Sequence, residues 1–198
     1  TATPKVLEDI KLKLGFTQYQ IFKKSFKREN ISIFNDEVAD KYQRVLDLLK
    51  HNQNSGIIYT RTRKEAENLT EFLQKNKLKN VDFFHAGLSV KEKHQKQEKW
   101  LKSNQNVLIS TNAFGMGIEK EQVRFVIHFS PAQSIENYYQ EIGRAGRDGL
   151  ESYAYLLWNE QELTNFDQML RNQIPSKAEF LKIISYLICQ KGIKIKLQ

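Results

Sequence analysis

The chain has 198 residues, a length that suits one α/β domain with a sizeable core plus a short appendage. Its 31 Lys and Arg against 23 Asp and Glu give a net charge of +8, which favours a polyanionic partner. The single cysteine, Cys189, excludes an intrachain disulfide, and no apolar run approaches the roughly 20 residues that cross a bilayer. We therefore expect a soluble cytoplasmic protein with no membrane partner, associated with the nucleoid if it is bacterial.

Six short runs rich in β-branched and aromatic residues predict strands. In chain order they are Ile31–Phe34, Gly56–Tyr59, Val81–Phe84, Val107–Ser110, Val123–Phe129 and Tyr153–Trp158. The segments between them that place apolar residues at helical spacing are Asp36–Lys50, Arg63–Lys75, Val90–Leu101 and Ser134–Ile142. This alternation predicts an α/β fold with a central, mainly parallel sheet and helices on both faces.

Polar segments follow three of the predicted strands. In an open parallel sheet, ligands bind outside the carboxyl ends of the strands. The Ser and Thr hydroxyls, glycine N–H groups and basic side chains of these segments suit a sugar-phosphate backbone that is held without reading bases. The residues that we expect to contact nucleic acid are Arg61, Thr62, Arg63, His85, Gly87, Thr111 and Asn112.

Some of these residues also have purely structural explanations. His85, at a strand end, could be a buried and hydrogen-bonded histidine, and His128, which alternates with apolar neighbours, is expected to be structural. Arg61 and Arg63 could belong to a solvated helix start, with Thr62 as the N-cap of a capping box. The aromatic residues that we expect to pack in the core rather than stack on bases are Trp100, Tyr138, Tyr139 and Trp158.

The segment Gln140–Gly149, QEIGRAGRDG, combines two arginines with three glycines. Arg144 and Arg147 are three residues apart, so they would share one side of a continuing helical turn. Guanidinium groups match phosphate oxygens two at a time, and the glycines would leave room for those oxygens. The structural alternative is a surface turn in which the arginines are solvated or paired with Glu141 and Asp148.

A second glycine-bearing segment precedes this one by about twenty residues. The predicted strand Val107–Ser110 runs into NAFGMGIEK, Asn112–Lys120. A loop of this kind after a strand offers backbone N–H groups to anions. The context favours the phosphate-binding interpretation of the arginine pair.

These blocks, in this order, resemble the RecQ-type DNA helicases of helicase superfamily 2. GIIYTRTRKEAENL at 56–69 resembles motif IV, and FFHAGLS at 83–89 resembles the block after it. VLISTNAFGMGIEK at 107–120 resembles motif V, YYQEIGRAGRDG at 138–149 resembles motif VI, and Thr1–Pro4 resembles the tail of motif III. The AFGMGI and QEIGRAGRDG strings separate RecQ-like sequences from DEAD-box RNA helicases. The resemblance implies a RecA-like three-layer domain.

The resemblance also implies that the chain is half of a motor. It contains no G-x-x-x-x-G-K-[ST] phosphate loop and no Asp-Glu-x-His motif. In this family both lie on a first RecA-like domain, which would precede Thr1 in the same polypeptide and bind most of the ATP and Mg²⁺. We therefore expect the chain alone to hydrolyse nothing. The intact enzyme would move 3′ to 5′ on single-stranded DNA and unwind duplex DNA.

By the same resemblance, ATP lies in the cleft between the two domains, and this domain completes its site. Arg147 is the expected arginine finger, which neutralises charge on the γ-phosphate, and Arg144 and Gln140 are its expected helpers. Gly117 and Glu119 fall in motif V and are expected to border the nucleotide. Glu119 stands where related helicases usually carry Asp or Asn, so its contact with the ribose is the weaker expectation.

We expect three segments along the chain. Residues 1–25 would be a linker or helix from the end of motif III, 26–160 the second RecA-like domain, and 161–198 a helical appendage. RecQ proteins usually continue with a hairpin that binds zinc through four cysteines, but only Cys189 is present, so we expect no zinc. The spacing of apolar residues predicts a helix over Ser176–Gln190.

The resemblance is weakest near the start of the expected domain. The block that the family usually writes as F-x-R-P-N-L is here FKRENI, residues 26–31, which lacks the proline. Two other functions stay open beside the DNA helicase: the motor half of an RNA helicase, and a non-catalytic nucleic-acid-binding module that kept the fold.

Overall fold

The computed structural model describes residues 4–15, 19–22, 28–52, 54–111, 120–162 and 164. By its internal contacts the chain divides into two units, Thr1–Trp158 and Asn159–Gln198. In the second unit, Asn159 Oδ1 accepts a hydrogen bond from Glu162 N at 2.9 Å. The predicted helix Ser176–Gln190 lies outside the described residues. The domain boundaries expected from the sequence stay predictions.

The first unit contains the secondary structure that the alternating pattern predicts. The elements are α1 (Pro4–Leu14), β1 (Ile31–Glu37), α2 (Lys41–Lys50), β2 (Gly56–Tyr59), α3 (Arg63–Lys75), β3 (Val81–Phe84), α4 (Val90–Lys102), β4 (Val107–Ser110), β5 (Phe125–His128), α5 (Ile135–Ile142) and β6 (Ser152–Trp158). Apart from β1 and α2, the predicted boundaries agree to within two residues. Over the described ranges, every helix is too short or too polar to span a membrane.

The described strands form one sheet in the order β1-β6-β5-β2-β4-β3, and every neighbouring pair is parallel. Strand starts lie side by side, since Gly56 pairs with Val107 on one side and with Phe125 on the other. All carboxyl ends therefore lie along one edge. The predicted parallel sheet is confirmed.

Helices cover both faces of the sheet. On one face, α2 and α3 pack residues such as Val45 and Leu69 against Ile58. On the other, Trp100 of α4 and Ile142 of α5 pack in a second core. Every residue of β2, β4 and β5 is buried, as continuous apolar strands between two helical layers require.

The predicted helix Asp36–Lys50 starts too early. Asp36 belongs to β1, where it pairs with Leu157 of β6. The helix begins after the N-cap Asp40, whose side chain accepts a hydrogen bond from Gln43 N at 3.0 Å. Strand pairing with a distant segment therefore prevailed over the helical spacing of the local sequence.

Gly56 begins β2 directly against the ring of Phe125, where an added Cβ would overlap the ring atoms. We expect Gly56→Ala to lower the free energy of unfolding by about 1–3 kcal/mol, because a packed core tolerates added volume poorly. In Gly56→Ala/Phe125→Leu the smaller side chain should relieve the overlap, so the two changes together should cost less than their sum. Chemical denaturation of the wild type and the three variants measures this coupling, and strictly additive costs would contradict it.

Candidate functional site

The loops that follow β2, β3 and β4 lie side by side at the carboxyl edge of the sheet. Thr60 N donates to Ser110 O at 2.9 Å, and Ser110 Oγ donates to Phe84 O at 2.8 Å. These two bonds join the ends of the three strands. The structure thus brings together the predicted residues that follow them, which are Arg61 to Arg63, His85, Gly87 and the buried Thr111.

Arg63, His85 and Gly87 meet at one point of this edge. A Cβ placed on Gly87 would lie 2.9 Å from Arg63 Nη1 and 3.3 Å from His85 Nδ1. The exposed guanidinium group therefore covers the glycine, and the absence of a side chain there lets the cation lie against the backbone. The result is a positive group at the surface of the edge, beside bare backbone.

His85 has a structural contact on one ring nitrogen only. Its Nε2 lies 2.9 Å from Glu67 Oε1, and its ring stacks on Phe83 with centroids 5.3 Å apart. Its Nδ1 is buried and has no hydrogen-bond partner among the described residues. The interpretation of His85 as a buried, hydrogen-bonded histidine therefore explains the contact of Nε2 but not the position of Nδ1. Nδ1 lies next to Gly87.

The predicted capping box at the start of α3 is confirmed. Thr62 Oγ1 accepts a hydrogen bond from Glu65 N at 3.1 Å, and Glu65 Oε2 accepts from Thr62 N at 3.0 Å. The same carboxylate oxygen accepts from Arg61 N at 2.9 Å. The threonine hydroxyl is thus engaged in the cap, whereas the side chains of Arg61 and Arg63 are exposed beside it.

The helical turn predicted to carry both arginines does not continue beyond α5. Arg144 N donates to Glu141 O at 3.2 Å, three residues back, in a tighter turn than an α-helix. Gly146 then adopts a φ of 58°, in the left-handed region, and redirects the chain before Arg147. The expectation that one helical turn aligns Arg144 with Arg147 is therefore wrong.

The central glycine of this turn is required by the chain itself. A Cβ on Gly146 would overlap the Asn30 amide and would lie 2.7 Å from Ser152 Oγ and 2.8 Å from Leu150 O. Gly149, with a φ of 82°, instead faces open space. The expectation that these glycines make room for ligand oxygens is wrong for Gly146, because neighbouring residues already fill that room.

Both arginines nevertheless act electrostatically on Tyr59, the last residue of β2, and Arg144 also hydrogen-bonds to it. Burial raises the pKa of Tyr59, and the positive charges of Arg144 and Arg147 oppose that rise. Arg144 is half-buried, whereas Arg147 and Gln140 are exposed. Since Tyr59 belongs to the core on the α4 and α5 face, the arginine pair lies on that face. The backbone of Gly146, next to Arg147, is bonded to Val123 and Asn30, which precede β5 and β1, so this turn lies toward the amino ends of the strands.

The two acidic residues expected to neutralise the arginines in the structural alternative have other basic partners. Glu141 Oε2 lies 2.7 Å from His128 Nε2, and His128 is 1% exposed and stacked on Tyr59. Asp148 pairs with Arg124, whose hydrogen bond lowers the pKa of that carboxyl group. His128 is thus structural, as predicted. Sequence reasoning missed Arg124, which no local motif marks.

Three predicted site residues, Asn112, Gly117 and Glu119, lie outside the described residues. Lys120 follows this segment, and its buried Nζ donates to Trp100 O at 2.6 Å. Burial lowers the pKa of Lys120 to about 8. Lys120 therefore binds α4 at the point where this segment ends. The sequence alone does not predict this structural role, because Lys120 belongs to a glycine-bearing motif that suggests phosphate binding.

The groups gathered here suit phosphate better than metal. In the part of the chain that the structure describes, no group of three or more His, Cys, Asp and Glu side chains could hold a metal ion. Guanidinium groups are usual ligands of phosphate oxygens. Arg61 and Arg63 at the edge, and Arg144 and Arg147 on the α4 and α5 face, are therefore candidate ligands of an anion.

Comparison with known proteins identifies the family. Residues 40–149, more than half of the chain, match the helicase conserved C-terminal domain. The chain belongs to this family. It is 38% identical over 164 residues to the ATP-dependent DNA helicase RecQ of Bacillus subtilis and 40% identical over 178 residues to the RecQ-like DNA helicase BLM of Xenopus laevis. The predicted RecQ type of this helicase C-terminal domain is thereby confirmed.

The chain corresponds to a limited part of these relatives. The two alignments cover 82% and 86% of this chain but 28% and 13% of the relatives, so this chain spans less than a third of either. Among solved structures, Saccharomyces cerevisiae Dbp5 bound to RNA and ADP BeF3 gives a TM-score of 0.70 at 22% identity. That match covers 87% of this chain and 46% of Dbp5, and it confirms the RecA-like fold.

Loss of the cap hydroxyl in Thr62→Ala should lower the free energy of unfolding by about 1 kcal/mol, because Glu65 N would lose its acceptor. Thr62→Ser keeps an oxygen at the same position and should stay close to the wild type. Urea denaturation of both variants measures the difference. Equal stability of Thr62→Ala and the wild type would contradict the structural role of the hydroxyl.

Proposed function

We propose that this helicase C-terminal domain is the second motor domain of an ATP-dependent 3′–5′ DNA helicase and completes an ATP site held mainly by a preceding RecA-like domain. The observation that carries the proposal is the pair of guanidinium groups of Arg144 and Arg147, on a turn whose backbone is held by Val123, Arg28 and Asn30. Such a pair suits the triphosphate of a nucleotide that the neighbouring domain brings to it. Mg²⁺ would be held with the nucleotide by that neighbouring domain.

Arg147 is the proposed arginine finger. It is exposed and directly follows the fixed turn at Gly146. A guanidinium group at the γ-phosphate stabilises charge in the transition state, an effect worth about 10³ to 10⁵ in rate in phosphoryl-transfer enzymes. Arg144, half-buried near Tyr59, and the exposed Gln140 on the last turn of α5 would bind the remaining phosphate oxygens.

The rest of the nucleotide contact is proposed from the family motif alone. Gly117 and Glu119 fall in the motif V segment, between Thr111 and Lys120, and would border the ribose and the phosphates. Asn112, at the start of the same segment, would contact nucleic acid. These three assignments rest on the motif and the order of the blocks.

The carboxyl edge of the sheet is the proposed binding surface for single-stranded DNA. Arg61 and Arg63 are exposed there, and Arg63 lies over Gly87 beside His85. Positive groups next to bare backbone contact phosphates without selecting a base sequence. When the two motor domains close on ATP, this edge would move relative to the DNA-binding surface of the other domain. That relative movement would couple ATP hydrolysis to translocation along DNA.

In a full-length enzyme that joins this domain to a phosphate-loop domain, Arg147→Ala should reduce DNA-stimulated ATP turnover by about 10³-fold or more. Affinity for ATP should change by only a few fold, because a finger acts mainly in the transition state. ATPase kinetics and titration with a fluorescent nucleotide measure the two quantities.

The matched control for this experiment is Arg44→Ala. It removes a guanidinium group from α2 on the other face of the sheet, where Arg44 pairs with Asp36 at 2.5 Å. Its ATP turnover should stay normal. Wild-type turnover in Arg147→Ala would refute the finger role.

The 198-residue chain should bind single-stranded DNA weakly, with an affinity that falls steeply as salt rises, because phosphate contacts release counterions. Arg63→Ala should weaken binding and reduce the slope of log K against log salt by about 0.7, the value for one phosphate contact on a single strand. Fluorescence anisotropy over a salt series measures both. Lys75→Ala, at the far end of α3 where Lys75 pairs with Glu71 at 2.7 Å, is the control and should change neither. Binding that does not depend on salt would contradict a grip on phosphates.

An RNA helicase is the second candidate, because the structural neighbour Dbp5 is bound to RNA. The relatives named as DNA helicases are more similar in sequence and favour DNA. ATPase stimulation of the full-length enzyme by single-stranded DNA and by RNA of the same sequence separates the two. Equal or greater stimulation by RNA would count against the DNA helicase.

A further inference from the structure

Two side chains from the segment before β1 hold residues 143–148, the arginine turn that follows α5. Arg28 Nη2 donates to Gly146 O at 2.6 Å, and Asn30 Nδ2 donates to the same oxygen at 2.8 Å and to Leu150 O at 2.9 Å. Arg28 Nε also donates to Asn30 Oδ1 at 3.3 Å, which orients the amide toward the turn. The partners are more than 100 residues apart in the sequence, so this arrangement belongs to the tertiary structure.

The oxygen held in this way belongs to the peptide group that also contains Arg147 N. Because a peptide group is planar, holding Gly146 O fixes the plane from which the Arg147 side chain departs. The preceding peptide group is fixed as well, since Gly146 N donates to Val123 O at 2.8 Å. The left-handed Gly146 is therefore tied on both sides, through Val123 to the segment just before β5 and through Arg28 and Asn30 to the segment just before β1.

We propose that Arg28 and Asn30 are positioning residues for Arg147: they set the direction in which the arginine finger leaves the turn. The proposal rests on the proposed finger role of Arg147. Both side chains act through the Gly146 carbonyl group, and neither is assigned a contact with the nucleotide. Their removal should therefore impair the rate of the chemical step more than the binding of ATP.

Asn30→Ala removes both amide donors without a change of charge. In the full-length enzyme we expect DNA-stimulated kcat to fall by about 10- to 100-fold, the effect of a catalytic group displaced by about 1 Å, with little change in the KM for ATP. Arg28→Ala should act in the same direction. Arg28→Lys should recover part of the activity, because an ammonium group can still donate to Gly146 O.

The matched control is Asn76→Ala. It removes a bond of the same kind, from Asn76 Nδ2 to Phe72 O at 2.9 Å, at the far end of α3. We expect normal kcat in this variant. Thermal unfolding of each protein shows that it is folded at the assay temperature, and Arg28→Lys serves as the test variant if Asn30→Ala is not.

The double variant Asn30→Ala/Arg147→Ala distinguishes an effect of Asn30 on the position of Arg147 from an effect on the stability of the protein. If Asn30 acts through Arg147, Asn30→Ala should lower kcat no further in the Arg147→Ala enzyme. An equal fold loss in both backgrounds would overturn the positioning role, as would wild-type kcat in a folded Asn30→Ala enzyme. Wild-type kcat in Arg147→Ala alone would instead overturn the finger role, and the positioning role with it.

Discussion

All described strands of the sheet run in the same direction, and the placement of the candidate groups depends on this constraint. Parallel strands that are buried on both faces leave polar side chains room only at the strand ends. The segments after β2, β3 and β4 must therefore meet at one edge. A helix that connects two parallel strands must return across a face, so α5 carries its arginine turn away from that edge along the sheet.

The arginine turn is fixed from several sides before any ligand arrives. Gly146 is held by Val123 and by the side chains of Arg28 and Asn30, and Asp148 is held by Arg124. A preorganised charge needs little rearrangement when it meets a transition state, which is why such groups catalyse better when they are fixed. The bonds that hold this turn are thus compatible with a catalytic use of Arg147.

Elements with a strong local signal could be predicted from the sequence to the residue. This holds for β2, β3, β4 and α3, because buried parallel strands read as short apolar runs and a capping box marks the start of α3. The start of α2 could not be predicted, because Asp36 and its neighbours fit a helical pattern but pair with β6, more than 100 residues away. Non-local strand pairing leaves no trace in a short window of sequence.

The residue types of the site could be predicted, but the conformation of the arginine turn could not. The left-handed backbone at Gly146 depends on Asn30 and Ser152, which lie far from it in the sequence. One signal was available in the block FKRENI, which keeps the arginine and the asparagine of F-x-R-P-N-L although it lacks the proline. Those two polar positions, Arg28 and Asn30, are the ones that bind the turn, whereas proline has no side-chain donor to contribute.

In the proposed motor, the end of β2 joins the two functional surfaces. Tyr59 lies near Arg144 on the face of the sheet, and Arg61 is exposed at the edge two residues later, about 7 Å along an extended chain. Thr60, between them, is buried and bonded through its N–H to Ser110 of β4. A strand end fixed in this way cannot bend independently of the sheet, because its neighbours are packed at the density of a solid. Movement of the arginine pair toward a nucleotide must therefore carry the DNA-facing edge with it, so the coupling of the two surfaces follows from motion of the whole domain and requires no rearrangement within it.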